Sequence, residues 1–144
     1  MDGADLIMFD EHPPSRQTVA DMKKYPANRE AELLEHLRKI CLRLPECTEK
    51  LTWGNPTFVA GKKQFAVLDH YHGRWCIAFI AHPKKQGALL RRTGFFAAPY
   101  GAKYGWVCRD AEGRIGWKEI EGLLVESYQL ARGSKDGSAL GKAL

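Results

Sequence analysis

The sequence has no long hydrophobic run. None of its apolar stretches approaches the ~20 residues that a membrane-spanning helix needs, so we expect no contact with a membrane. Residues 1–16 place acidic side chains ahead of a very short apolar patch and lack the basic region that begins a secretory signal. We therefore expect a cytoplasmic protein.

The sequence also lacks paired cysteines. Its four cysteines, Cys41, Cys47, Cys76 and Cys108, are scattered along the chain, and no C-x-x-C spacing occurs among them. The spacing typical of a structural zinc site is therefore missing. Cys41 falls on the apolar side of a predicted helix, and Cys76 and Cys108 fall inside predicted strands. We predict that these three are small buried hydrophobic residues.

Motifs of catalysis and cofactor binding are missing as well. No glycine-rich phosphate loop is present, and Ser127 lies in a predicted helix with no nucleophile elbow around it. We predict a hydrogen bond on the helix face as the role of Ser127. The absence of these motifs favours a protein that is not an enzyme and needs no cofactor.

A metal site at two histidines is a weaker alternative. His70 and His72 would share one face of a strand, as two ligands of one metal must. They run into a tight turn at Gly73, however, and Cys76 is the only third ligand nearby in the sequence. We expect no metal here, although a metal-dependent activity at the two histidines stays open.

The composition is that of one small globular domain. The chain has 144 residues, of which 44% are hydrophobic and 27% charged, which is enough for a single core. Its net charge of +5 is moderately basic. A basic balance favours an anionic partner.

The hydrophobic pattern predicts an arm, a domain and a tail. Residues 1–28 are interrupted by prolines and predict a semi-ordered N-terminal arm, whereas residues 133–144 have the composition of a flexible tail. Residues 29–44 predict a helix that Pro45 ends. Its apolar residues recur at spacings of three and four; they are Leu33, Leu37, Ile40 and Leu44.

Short segments rich in β-branched and aromatic residues follow the first helix. Residues 50–53, 56–60, 64–70 and 74–81 predict strands, and the turns around Gly61 and Gly73 separate the last three at hairpin distance. This pattern indicates an antiparallel meander.

The rest of the domain alternates again between helix and strand. Pro83 suits a first helical position and Gly94 a C-cap, which predicts a helix of about three turns between them. Two strands at residues 95–99 and 105–110 and a helix at residues 117–132 complete the domain. The element order predicts an α+β fold, a single antiparallel sheet with helices packed on it.

A set of residues across this domain resembles one bacterial family. They are Leu44-Pro45, Trp53-Gly54, Phe58, Gly61-Lys62, Phe65-Ala66, Pro99-Tyr100, Gly105-Trp106-Val107 and Ser127-Tyr128. The combination is similar to the MmcQ/YjbR family and covers residues 29–132. The resemblance implies a fold related to bacterial frataxin (CyaY-like), DNA binding through a double-wing shape, and no established enzymatic activity. Glu46 departs from the family pattern, in which a glycine often follows the Leu-Pro pair.

Basic residues on the turn around Gly61 and on the middle helix provide the main functional hypothesis. Each of the pairs Lys84/Arg91 and Lys85/Arg92 has a spacing of seven, which places its members on one helix face two turns apart. The hairpin tip Lys62-Lys63 adds two cations, with Arg74 beyond the next turn. Seven residues are thus predicted to contact nucleic-acid phosphates without reading sequence. The alternative is a solvated surface that keeps the protein soluble.

Aromatic residues provide a rival hypothesis. Tyr100, Tyr104 and Trp106 cluster around Lys103 and would suit a stacking platform for single strands, but packing into the core is the favoured interpretation. With Trp53, the residues Tyr100 and Trp106 would line a pocket for a small molecule or a protein partner. We also expect Trp53 and Phe58 to build the core.

Overall fold

A computed structural model describes the backbone of residues 27–99 and 101–133. Within these ranges, three α-helices and six strands form the domain. The helices are α1 (Ala27–Cys41), α2 (Pro83–Leu90) and α3 (Trp117–Ala131); the strands are β1 (Cys47–Thr52), β2 (Asn55–Ala60), β3 (Lys63–Tyr71), β4 (Arg74–Ile80), β5 (Phe95–Ala97) and β6 (Trp106–Asp110). The expected arm up to residue 26, the tail from residue 134 and Tyr100 lie outside the described residues.

The six strands form one antiparallel sheet in the order β1-β2-β3-β4-β6-β5. The predicted α+β class and the single sheet are therefore confirmed. None of the helices in the described ranges combines the length and the apolar character that crossing a membrane requires.

Two of the hairpins close through two-residue turns with left-handed backbone. Trp53 and Gly54 have φ values of 55° and 81°, and His72 and Gly73 have φ values of 53° and 77°. Positive φ at both central residues is the type I′ pattern that matches the twist of antiparallel strands. Trp53 is therefore a turn residue, and it is 46% exposed. The expectation that it belongs to a strand and to the core was wrong.

The main core lies between the sheet and the helices. We call this side of the sheet the helix face; its buried strand residues include Phe58, Leu68, Ile77, Phe79 and Val107. The buried helix residues that pack against them are Leu33, Leu37, Ile40 and Cys41 of α1, Leu89 of α2, and Ile120, Leu124, Tyr128 and Ala131 of α3. The predicted apolar stripe of α1 is confirmed from Leu33 to Cys41.

A β-bulge connects the sheet to α3. The β2–β3 register shifts between Phe58 and Val59, so that Phe65 has no partner across the ladder. Phe65 joins the main core, and its ring meets that of Tyr128 edge-on at 5.4 Å. The Ser127 hydroxyl donates to the Phe65 carbonyl oxygen (2.6 Å) and accepts from the Ile80 N–H (2.8 Å). The predicted helix-face hydrogen bond of Ser127 is confirmed.

Two helices are shorter than the sequence predicts. α1 ends at Cys41 rather than at Leu44, because turn hydrogen bonds, from Leu44 N–H to the Cys41 oxygen and from Cys47 N–H to the Leu44 oxygen, replace the helical pattern before Pro45. α2 has eight residues, about two turns rather than three.

Gly94 has a different role from the predicted helix cap. The C-cap of α2 is Arg91, and Gly94 precedes β5 with a φ of 95°. A Cβ atom at this position would lie 2.8 Å from Arg109 Nη1, and the Gly94 oxygen accepts from the Asp110 N–H. Glycine suits this position because of its positive φ, whereas the Arg109 atoms are the end of a flexible side chain that can move.

The opposite side of the sheet, which we call the second face, is also buried. Its central members are 0–1% exposed: Thr57, Val67, Asp69, Cys76, Ala78 and Cys108. Near one end of this face Gly101 packs on Trp106, where an added Cβ would lie 3.1 Å from the Trp106 Cβ. Both sides of the sheet are therefore shielded from water.

Candidate nucleic-acid interface

The antiparallel order gives the sheet two ends that carry different side chains. At one end, the Lys62 end, β3 begins and the neighbouring β4 stops just before α2, while β6 begins beside it. At the other, the His72 end, lie the Trp53-Gly54 and His72-Gly73 turns. The position of each predicted site residue follows from these two ends.

The Lys62 end brings together three of the predicted cations. Lys62 and Lys63 are exposed at the β2–β3 turn, which is held by a hydrogen bond from Gly61 N–H to the Glu46 oxygen (3.1 Å). Lys84 lies in the first turn of α2, which begins just after β4. None of these three lysines has an acidic partner among the described residues.

The first turn of α2 is fixed by its cap. The His82 Nδ1 accepts a hydrogen bond from the Lys84 backbone N–H at 3.0 Å, and Pro83 is the first helical residue, as predicted. A capping acceptor of this kind satisfies a helix donor that would otherwise have no partner. The backbone that carries Lys84 is therefore held in place at the Lys62 end.

A fourth cation, Lys103, lies at the same end in a short 3₁₀ turn (Ala102–Tyr104). Gln86 connects this turn to α2 by donating to the Ala102 oxygen at 2.8 Å. The Lys103 Nζ lies 5.3 Å from the centroid of the Tyr104 ring, and Tyr104 is 63% exposed. Packing of Tyr104 into the core was the wrong interpretation, whereas Trp106 is buried as that interpretation expected.

Two further cations, Lys85 in α2 and Arg92 just after its C-cap, form ion pairs with α3. Lys85 pairs with Glu126 at 3.0 Å and Arg92 pairs with Glu119 at 2.6 Å. Lys85 and Arg92 are seven residues apart, and so are Glu119 and Glu126. The two ion pairs to α3 are therefore about two helical turns from each other. The side-chain hydrogen bond from Arg92 lowers the pKa of Glu119 below its usual value. Lys85 and Arg92 do lie on one side, as their spacing predicts, but this side faces α3.

Arg74 and Arg91 lie away from the Lys62 end. Arg74 begins β4 at the His72 end and donates from Nε and Nη2 to Asp110 Oδ2, at 3.0 and 2.7 Å. The expectation that Arg74 extends the surface of the Lys62-Lys63 tip was therefore wrong. Arg91 is exposed at the opposite end of α2 from Lys84.

The aromatic pocket of the rival hypothesis does not form from the residues named for it. Trp53 lies at the His72 end beside the edge strand β1, whereas Trp106 begins β6 at the Lys62 end. Three strands separate β1 from β6, a distance of about 19 Å at a spacing of ~4.8 Å. Tyr100 lies outside the described ranges.

A groove of about 400 Å³ occurs elsewhere, at the His72 end of the second face. Its lining includes Tyr71, His72, Arg74, Phe96, Pro99 and Asp110. The rings of Tyr71 and Phe96 stack with their centroids 6.4 Å apart. The groove thus combines aromatic surface with the Arg74–Asp110 ion pair.

The two histidines of the metal hypothesis point to different environments. His70 lies opposite Trp75 in the β3–β4 ladder with the ring centroids 4.7 Å apart, and His72 is on the turn. Cys76 is buried on the second face. Within the described part of the chain, no three histidine, cysteine or acidic side chains are grouped so that they would hold a metal ion.

The three cysteines predicted to be buried are buried. Burial raises the pKa of Cys41, and a hydrogen bond with Cys108 together with burial raises that of Cys76. Cys47 is half-buried, and burial raises its pKa to about 11. Thiols with raised pKa values are poor nucleophiles, which fits a packing role for these residues.

Comparison with known proteins establishes the family. The YjbR family model matches residues 42–130, more than half of the 144 residues. The chain belongs to the YjbR family. The YjbR match includes Lys62, Lys63, Lys84 and Lys103, and it begins directly after α1.

Two solved structures share this YjbR fold. The Deinococcus radiodurans protein DR2400, with a DUF419 domain, has a TM-score of 0.62 and 19% identity over 75% of this chain and 87% of its own. A Pseudomonas syringae protein has a TM-score of 0.59 and 20% identity over 71% of this chain and 97% of its own. At these identities the likeness shows the fold alone. No curated protein matches the sequence.

Two features of the structure were not predicted from the sequence. The position of Tyr104 in the sequence does not predict that its side chain is exposed, because a turn residue between strands is as easily buried as exposed. The burial of the second face does have a signal. Residues 75–81 of β4 and its end are apolar without interruption, a pattern typical of strands covered on both sides.

Proposed function

We propose that this protein binds nucleic acid without catalysing a reaction, through phosphate contacts at the Lys62 end. The supporting observation is the division of its cations. Lys62, Lys63, Lys84 and Lys103 are gathered at one end and have no acidic partner within the described ranges. Arg74, Lys85 and Arg92 are each paired with a carboxylate. Unpaired cations are the ones available to phosphates.

The geometry of the Lys62 end is suited to contacts with the phosphate backbone of a nucleic acid rather than with the edges of its bases. Lysines on a hairpin tip and at the start of a short helix are point charges that can contact phosphates. Such contacts position a protein on a nucleic acid without specifying the base sequence. Tyr104 adds an exposed ring beside Lys103. A base stacked on such a ring contributes about 1–3 kcal/mol. This contact would favour an unpaired strand over a duplex.

The proposal predicts a particular dependence on salt. Neutralising four phosphates gives a slope of log K against log[salt] of about −3.6 for duplex DNA and about −2.8 for a single strand. We would measure fluorescence anisotropy of labelled oligonucleotides of both kinds from 25 to 200 mM KCl. The triple variant Lys62→Ala/Lys63→Ala/Lys84→Ala should flatten the slope to about −0.9 for duplex DNA and about −0.7 for a single strand.

A charge-matched control separates a local surface from overall charge. Arg74→Ala/Lys85→Ala/Arg92→Ala removes the same number of positive charges, but from cations that already have partners. This variant should keep the slope of the unmodified protein. A slope that falls equally in both triple variants, or no binding at 25 mM KCl, would refute the proposal.

Binding of a small molecule or a protein is the second candidate, and the groove at the His72 end favours it. The groove offers about 400 Å³ lined by Tyr71 and Phe96 with an ion pair at its edge, within the range of small-molecule sites. A ligand that binds only the folded state raises the melting temperature. A thermal-shift screen with the unmodified protein and Phe96→Ala tests this candidate: stabilisation should disappear in the variant, and a ligand that stabilises both equally binds elsewhere.

A further inference from the structure

Strand β1 is an open edge of the sheet, with β2 as its neighbour on one side. The two residues that flank the turn of this hairpin form a hydrogen-bonded pair, so every second residue back from Thr52 directs its backbone groups towards β2. The backbone groups of Glu49 and Leu51 point away from the sheet, and no hydrogen bond within the described residues uses them. The next outward donor, the Cys47 N–H, is bonded to the Leu44 oxygen at 3.1 Å.

Exposed apolar side chains lie along the same edge. Leu51 is 69% exposed, and Trp53 on the following turn is 46% exposed. Leu51 shares the side of β1 that carries Glu49, and Arg38 of α1 donates from Nε and Nη2 to the two Glu49 carboxylate oxygens at 2.7 and 2.8 Å. Leu42, one helical turn after Arg38, is 42% exposed. Three of the four exposed large apolar side chains in the described ranges therefore lie beside one ion pair at this edge.

The opposite edge of the sheet is poorly suited to pairing. β5 has only three residues, and Pro99 lies two positions after its end. Short edge strands and prolines are common means of protecting an edge from another chain. A chain with one open edge cannot pair head to tail into a filament. Pairing of this edge with the same edge of a second copy gives a closed two-fold dimer.

Charge selects the register of such a pairing. In a two-fold antiparallel pair, the residue on the axis lies opposite its own copy. Centring on Glu49 or on Lys50 would place like charges opposite each other, which is destabilising. Centring on Leu51 places two apolar side chains together and puts Lys50 opposite Thr52 of the second copy. Glu49 then lies opposite Trp53, so no like charges are opposed.

We propose that β1 is the interface of a homodimer, in which the β1 strands of two copies pair antiparallel about a two-fold axis at Leu51. Each copy contributes six strands, so the joined sheet has twelve. The paired strands run in opposite directions, which places the Lys62 ends of the two copies at opposite ends of the interface. None of the four lysines of the Lys62 end takes part in the pairing, so the dimer forms without nucleic acid.

Sedimentation equilibrium in the absence of nucleic acid tests the interface. The mass should rise with protein concentration from the 16.2 kDa of one chain towards twice that value. Leu51→Lys opposes two lysines and removes two buried leucines, so it should weaken the dimer at least about tenfold. Thr48→Lys adds the same charge to β1 outside the paired residues and should leave the dissociation constant unchanged. A monomer at every concentration, a dimer that Leu51→Lys leaves intact, or equal weakening in the two variants would overturn the proposal.

A cysteine placed on the two-fold axis tests the register. The Cα atoms of hydrogen-bonded partners in an antiparallel pair lie ~5.5 Å apart, which a disulfide can span. Leu51→Cys should therefore give a covalent dimer on mild oxidation, with the two introduced cysteines joined in the peptide mass spectrum, and Thr48→Cys should not. A bond from the introduced cysteine to Cys47 of the second copy would centre the pairing on Glu49. That result, or the absence of a covalent dimer, would contradict the proposed interface.

Discussion

At the scale of single residues, Trp53 is one of three non-glycine residues in the described ranges with a positive φ. A large side chain at a φ of 55° is unusual, and the type I′ turn that contains it prefers asparagine. Trp53→Asn should therefore stabilise the fold by about 0.5–1 kcal/mol relative to Trp53→Ala, which lacks the ring but keeps the unfavourable backbone. Urea unfolding of the two variants measures the difference. Equal midpoints would show that the turn carries no strain.

Ser127 is the residue whose loss should be most costly for its size. Its hydroxyl is buried and satisfies both the Phe65 oxygen at the bulge and the Ile80 N–H. Ser127→Ala leaves both backbone groups without this partner, which costs about 1–3 kcal/mol. Ser127→Cys retains a weak donor and should lose less. Urea unfolding of both variants tests this order; a loss below ~0.5 kcal/mol in Ser127→Ala would show that the bond is dispensable.

At the scale of elements, the ion pairs between α2 and α3 link stability to pH. The pKa of Glu119 is lower in the folded chain than its usual value of 4.5 because Arg92 donates a hydrogen bond to it. A lowered folded-state pKa stabilises the fold above the unfolded-state pKa, and this contribution is lost as pH falls through the folded-state value. Both side chains are about half exposed, so solvent screening limits the pair to at most about 1 kcal/mol.

Arg92→Gln should accordingly destabilise the protein at pH 7 through the lost pair by up to about 1 kcal/mol. This part of the loss should disappear once Glu119 is protonated, which leaves only the contact of Arg92 with the Phe95 ring at 4.8 Å. Urea unfolding between pH 7 and pH 3 measures this change. Arg91→Gln removes the same charge from a residue with no acidic partner in the described ranges, and it should show no such pH dependence. The same pH profile in both variants would exclude the Arg92–Glu119 pair as its cause.

The elements themselves could largely be predicted from the sequence, because periodicity and turn residues act locally. All six strands and three helices occur close to the predicted ranges. The contacts between side chains of different elements could not be predicted from the sequence. The spacing of Lys85 and Arg92 establishes one shared face, but nothing local indicates that Glu126 and Glu119 of a helix about 30 residues away lie against it. The position of Arg74 at the opposite end likewise depends on strand order.

At the scale of the whole molecule, two groups of three cations within the predicted site have different expected effects. Arg74, Lys85 and Arg92 are paired with carboxylates of other elements, whereas Lys62, Lys63 and Lys84 project from a turn and a helix start. A net charge of +5 does not reveal this division. Stability and binding should therefore respond to different substitutions.

Calorimetry of the two triple variants tests that separation. Arg74→Ala/Lys85→Ala/Arg92→Ala removes three exposed ion pairs at about 0.2–1 kcal/mol each, which should lower the melting temperature by roughly 2–12 °C at about 4 °C per kcal/mol. Lys62→Ala/Lys63→Ala/Lys84→Ala should shift it by less than ~2 °C, since surface changes away from specific contacts have small effects. In 1 M KCl the difference between the variants should narrow, because a Debye length of ~3 Å screens exposed pairs. A larger loss of stability in the lysine variant would show that these lysines have structural partners and are not free for phosphates.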